Sequence, residues 1–123
     1  MKIILAIGTG SFIGGICRYL LSQFIQSRIV SAFPFATLSV NIIGCFLIGI
    51  VFGIGERANI NPEWRLFLAT GILGGFTTFS AFSNETFGLI RAGEMFNAAA
   101  YIVASVFLGI LATWIGYSVL KLN

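Results

Sequence analysis

Histidine is absent from the 123 residues, which removes the commonest general base and the commonest metal ligand together. Charge is nearly as scarce. Seven Lys+Arg and four Asp+Glu make up 9% of the chain, against about a quarter in soluble domains. So few charges cannot cover a water-exposed surface without leaving large apolar patches. The cations stand singly instead of in runs, so a net charge of +3 is no nucleic-acid footprint. Internal repeats and low-complexity segments are also missing. The two cysteines, Cys17 and Cys45, fall inside apolar runs and are expected to be small buried hydrophobes.

What is present is apolar: 58% of residues are hydrophobic and the mean hydropathy is +1.00. A membrane-crossing helix needs about 20 such residues, so four helices use about 80 to 90 and leave roughly 35 for loops and ends. No room is expected for a second domain or a nucleotide-binding fold. The sequence predicts a single four-helix transmembrane domain over 1–123, with spans near 3–24, 34–54, 62–90 and 95–120. The opening MKIILAIGTGSFIGG imitates a secretory signal, but no polar mature domain follows and it reads as the first span. Pro34 suits the start of the second helix. Asn61–Pro62–Glu63 has the form of an N-cap, a first-turn proline and a first-turn acid.

Glycine is spaced for helix contact. Gly10/Gly14, Gly49/Gly53 and Gly71/Gly75 are GxxxG pairs, which let backbones approach closely in lipid. The third pair runs into GGFTTFSAFS (Gly74 to Ser83), where two glycines, two threonines and two serines crowd the middle of a span. Helix propensity is poor there and the hydroxyls compete for backbone groups. A break at this point exposes carbonyls and amides at membrane depth, which is tolerated only inside protein or along a wet or ion-filled cavity. A predicted break is therefore a predicted site.

Three helices also offer uncharged polar stripes. Thr37 and Asn41 are i,i+4 on the second span, and Tyr101 and Ser105 are i,i+4 on the fourth. On the third, Phe79/Phe82 and Ser80/Ser83 are i,i+3 pairs on adjoining faces. Taken singly, each polar group is a helix–helix hydrogen bond and each phenylalanine is core packing. Taken together, O–H and N–H donors without dense positive charge suit a small anion that must enter and leave. Ring edges carry the positive part of the aromatic quadrupole, so Phe79 and Phe82 suit such an anion edge-on. Arg18 and Glu85 are the embedded charges, and such residues are functional candidates by default. Arg18 either serves the site or snorkels to the interface; Glu85 either pairs with an arginine or reaches an aqueous vestibule.

Four spans put both termini on one side, with Lys2, Arg57, Arg65 and Lys121. The other side has Arg28 and Arg91, joined by Arg18 if it snorkels outward. This bias weakly favours termini inside and leaves insertion in both orientations open. Two copies paired upside-down supply the inverted symmetry that many transporters obtain from internal repeats.

GGFTTFSAFSNE (Gly74 to Glu85) resembles the GGxTTFSxFSxE segment of the fluoride channels known as the Fluc or CrcB family. TLSVNIIG (Thr37 to Gly44) is similar to the family's TLxxNxxG, and Gly14, Arg18 and Tyr19 match a first-span GxxxR followed by an aromatic. Tyr19 stands where the family pattern has Trp. The resemblance covers three spans in order and implies a passive, selective fluoride channel of a prokaryotic plasma membrane, built as an antiparallel homodimer with two pores. It implies pore residues Asn41, Phe79 and Phe82, with Ser80, Ser83 and Thr37 along a polar track and Tyr101 and Ser105 as a further hydroxyl pair. It also implies a structural Na⁺ at the dimer centre, held by the backbone carbonyls of Gly74 and Thr77 from both subunits and not transported. Fluoride itself, the lipid bilayer and a second copy of the chain are the implied partners. No cofactor chemistry or enzymatic activity is implied.

Two other classes compete. A small proton-coupled multidrug exporter also has four spans, but it needs a first-helix carboxylate and this first helix has none. A non-transporting scaffold would use the glycine faces only to bind partner helices. A membrane enzyme is the weakest alternative, having no acid–base pair beyond Arg18 and Glu85.

Overall fold

The computed structural model describes residues 1–121. Among these residues the regular elements are all helical: α1 (Lys2–Arg28), α2 (Phe35–Arg57), α3 (Pro62–Arg65), a π-helix (Leu66–Leu73), α4 (Gly74–Phe76), α5 (Phe79–Arg91) and α6 (Met95–Val119). They make four segments long and apolar enough to cross a bilayer, with Pro62–Arg91 forming the third. At most 28% of any segment's most apolar window is buried. Their remaining sides turn outward, which is stable only in lipid or against a partner. The chain is an all-α, multi-pass membrane protein.

Helix ends follow local chemistry. Asn61 Oδ1 accepts from the Glu63 amide at 2.9 Å and Pro62 opens α3. Pro34 is the residue before α2 and its carbonyl accepts from the Leu38 amide at 3.2 Å. The polar patch Gln26, Ser27 and Arg28 is the last turn of α1, because the Ser27 hydroxyl donates to the Phe24 carbonyl at 2.7 Å and the helix continues past the apolar run. The RAGE connection closes as a Schellman turn. Gly93 has a positive φ of 78°, its amide reaches the Ile90 carbonyl at 3.0 Å, and the Glu94 amide reaches Leu89 at 2.9 Å.

The four segments pack as two parallel pairs, each zipped by glycine. In the first pair, a Cβ on Gly10 would lie 2.7 Å from the Phe67 carbonyl and 2.9 Å from the Gly71 Cα, and one on Gly75 would lie 2.5 Å from the Ser11 carbonyl. The two GxxxG faces of α1 and the third segment thus meet each other, backbone on backbone. In the second pair, Gly49 faces the Thr113 carbonyl and Gly116 faces the Phe46 carbonyl, so α2 and α6 run together. Cys45 Sγ packs where a Gly109 Cβ would point, 3.5 Å away. Cys17, expected to be buried, is exposed on α1, one turn beyond Gly14 and past the end of the close glycine contact. A thiol is apolar enough for lipid, so the apolar run did not require a protein neighbour.

The two pairs are joined where the third segment breaks. Thr77 and Thr78 are extended, at φ −88°, ψ 153° and φ −148°, ψ 116°. Helix resumes at Phe79, with the Thr78 hydroxyl accepting from the Ala81 amide at 3.2 Å as an N-cap.

Candidate functional site

One stripe of α2 holds the break from three sides. Asn41 brackets Thr78 as a neighbouring strand would: the Thr78 amide donates to Asn41 Oδ1 at 2.9 Å, and Asn41 Nδ2 donates to the Thr78 carbonyl at 3.2 Å. One turn further along, Gly44 leaves the space that the Thr77 methyl fills. One turn back, the buried Thr37 hydroxyl donates to Glu85 Oε1 at 2.6 Å. Positions 37, 41 and 44 share a helix face, so the TLSVNIIG motif is the complement of the GGFTTFSAFSNE motif.

The broken backbone leaves acceptors behind. In a continuous helix the Thr78 amide would bond the Gly74 carbonyl and the Ala81 amide the Thr77 carbonyl. Those amides go instead to Asn41 and to the Thr78 hydroxyl. The carbonyls of Gly74 and Thr77 are thereby released, and both residues line the same cavity.

That cavity has a volume of about 360 Å³ and is walled by α2, the third segment and α6. Asn41, Phe79, Phe82 and Ser105 all line it. Ser105 Oγ is buried with no hydrogen-bond partner among the described residues. Phe79 and Phe82 lie 5.5 Å apart between ring centroids, tilted by 47°. Phe82 is half-buried against Tyr101, edge to face at 5.1 Å, while Phe79 is 80% exposed.

The remaining expected residues are distributed differently. Tyr101 is fully buried and its hydroxyl donates to Glu85 Oε2 at 2.7 Å, so Thr37 and Tyr101 clamp one carboxylate from two helices. Neither lines the cavity. A carboxylate is a stronger acceptor than another hydroxyl, and charge-assisted bonds of this kind are the short ones. Glu85 thus binds hydroxyls, where an arginine was one expectation. Ser80 is exposed with its hydroxyl 3.2 Å from that of Thr78, and Ser83 is exposed on α5. Arg18 is half-buried on α1 and does not line the cavity. The residues missed by sequence reasoning are Thr78, both N-cap and bracketed strand, and Gly44. The spacing of Gly44 from Asn41 within one motif was the available signal.

Residues 5–117 match the family described as CrcB-like protein, Camphor Resistance (CrcB). The chain belongs to the CrcB family. Its relatives include the fluoride-specific ion channel FluC of Flavobacterium psychrophilum, 45% identical over 98% of both chains. The protein of that name from Rhizobium meliloti is 43% identical over 98% of both. The one from Aquifex aeolicus is 42% identical over 95% of each. The break and its α2 brace both lie within the matched residues.

Proposed function

We propose that this CrcB-family chain is a fluoride-selective channel that lets fluoride leave the cell down its electrochemical gradient, lowering cytoplasmic fluoride. The observation that carries this reading is the Asn41 bracket beside a cavity holding a buried, unmatched hydroxyl. An amide nitrogen has two hydrogens. One goes to Thr78, which holds the group rigid, and the other is left for an anion. Fluoride is small and strongly hydrated, so removing its water is costly unless donors replace it. Asn41 is a donor fixed before the ion arrives, and the Ser105 hydroxyl is free to turn toward it. Ser80 and Ser83 extend the donors along α5, and the edges of Phe79 and Phe82 supply weak contacts between them. The Thr37–Glu85–Tyr101 cluster braces the wall behind Phe82 and ends the polar track.

The functional unit we propose is an antiparallel homodimer in the plasma membrane, with two pores. Phe79, four-fifths exposed beside an open cavity, supports a second copy as its cover. The released carbonyls of Gly74 and Thr77 support the structural Na⁺: two from each copy give a set of oxygens, the donor type a hard cation takes. When bound there, the ion neutralises backbone acceptors that lipid cannot satisfy. Glu85 belongs to a different cluster and is not a ligand.

Liposomes containing only this protein test the function directly. Fluoride is expected to be released and chloride retained; no release of either would favour the scaffold class. Phe79→Ile and Phe82→Ile are each expected to slow fluoride release about tenfold or more, equivalent to roughly 1.4 kcal/mol on the barrier, with the dimer intact. Unchanged release in both would leave the rings as packing only. Replacing Na⁺ by N-methylglucamine is expected to reduce activity or assembly, and Glu85→Gln is expected to keep that Na⁺ dependence. Its loss in Glu85→Gln would contradict ligation by carbonyls alone.

A further inference from the structure

A second concavity, about 430 Å³, runs along the seam between α2 and α6 and shares Ile48 with the cavity at the break. Its walls are Ile48 and Phe52 on one side and Ile110, Trp114 and Tyr117 on the other. Gly49 forms the floor because the helices touch there. The one hydroxyl in the seam's middle, Thr113, is already satisfied by the Gly109 carbonyl at 3.1 Å. The body of the groove is therefore apolar and shaped for a hydrocarbon chain.

Its mouth is different. Arg65 lies over the Phe52 ring at 4.6 Å and Lys121 over the Tyr117 ring at 4.6 Å, so each wall ends in an aromatic carrying a cation. Arg57 is at the same end of α2. Glu56 beside them accepts the Tyr117 hydroxyl, while Glu63, on α3 with Arg65, lines a separate concavity with Ala6 and Thr9 of α1. Among the described residues Arg57, Arg65 and Lys121 stand against Glu56, and the mouth is cationic. An apolar trough ending in a fork of positive charge fits one ligand class in a bilayer.

We infer that this seam is a binding site for an anionic phospholipid, with an acyl chain between Phe52 and Trp114 and the headgroup phosphate between Arg65 and Lys121. The aromatic seats hold both cations at the rim, so less side-chain freedom is lost when a phosphate arrives. Basic residues at a membrane surface attract anionic lipid, and the guanidinium adds planar, two-point recognition of phosphate oxygens.

Native mass spectrometry of the detergent-solubilised protein, with dioleoyl phosphatidylglycerol and dioleoyl phosphatidylcholine in competition, tests this. Wild-type protein is expected to keep phosphatidylglycerol under activation that strips phosphatidylcholine. The double variant Arg65→Gln/Lys121→Gln is expected to lose that preference by roughly 25-fold, about fivefold for each surface cation. Ile110→Trp, which fills the trough and leaves the charges, is expected to reduce retention as well while the protein stays folded. Equal retention of both lipids by wild type, or an undiminished preference in the double variant, would overturn the inference. So would a change of oligomeric state in Ile110→Trp with lipid binding unaltered, since a second copy would then occupy the seam.

Discussion

Replacing Asn41 by leucine is expected to abolish fluoride release and to destabilise the protein in the same experiment. Leucine nearly matches the volume but removes both bonds to Thr78, leaving an amide and a carbonyl unsatisfied at membrane depth. Each such group costs about 1–3 kcal/mol, so a loss of about 2–6 kcal/mol is expected for the pair. Release should fall about 100-fold or more, because the rigid donor and the shape of the break disappear together; 100-fold corresponds to about 2.7 kcal/mol on the barrier. Liposome efflux and thermal unfolding in detergent read the two effects side by side. Lost flux with unchanged stability would mean that Asn41 serves the ion alone and that the bracket is incidental. Normal flux would remove it from the pore.

The largest structural effect is expected from a single methyl group on α1. A Cβ on Gly14 would run into the Ile72 carbonyl and lie 2.9 Å from the Phe76 amide, and both are backbone, which cannot step aside. Gly14→Ala is expected to cost about 3 kcal/mol or more, at the upper end for overpacking, and to leave little folded protein after extraction. Its neighbour gives the control. A Cβ on Gly15 meets nothing within 4 Å, so Gly15→Ala is expected to be neutral or to stabilise by about 0.5–1 kcal/mol through helix propensity. Thermal unfolding of the two variants should therefore diverge in opposite directions. Similar stability for both would show that the first and third segments are not in backbone contact.

Much of this molecule is legible in composition and spacing. Scarce charge and long apolar runs require a membrane protein, because no water-facing surface can be made from them. Crowded glycine, threonine and serine mark the break, because helix propensity and local hydroxyl competition act within a few residues. The GxxxG pairs announce close packing, although Gly10/Gly14 meeting Gly71/Gly75 needs the chain to return after about sixty residues, and spacing cannot say which pair finds which. The π-helix Leu66–Leu73 has no sequence mark. It coincides with the stretch pressed onto Gly10 and Gly14.

The polar residues divide along the same line. That Thr37, Asn41, Tyr101, Ser105 and Glu85 are unusual at membrane depth follows from their chemistry, and each is visible alone. Which of them turns to an ion is a matter of partners. Thr37 and Tyr101 spend their hydroxyls on Glu85, while Ser105 is left without a partner among the described residues. Hydrogen bonds between helices depend on distances of a few tenths of an ångström set by packing far along the chain, whereas solubility and helix-breaking are summed over neighbours. The sequence by itself determined the membrane class, the four crossings and the place of the break. Only the tertiary structure decided that Asn41 holds the break open, that Glu85 is clamped by hydroxyls, and that the carbonyls of Gly74 and Thr77 are set free.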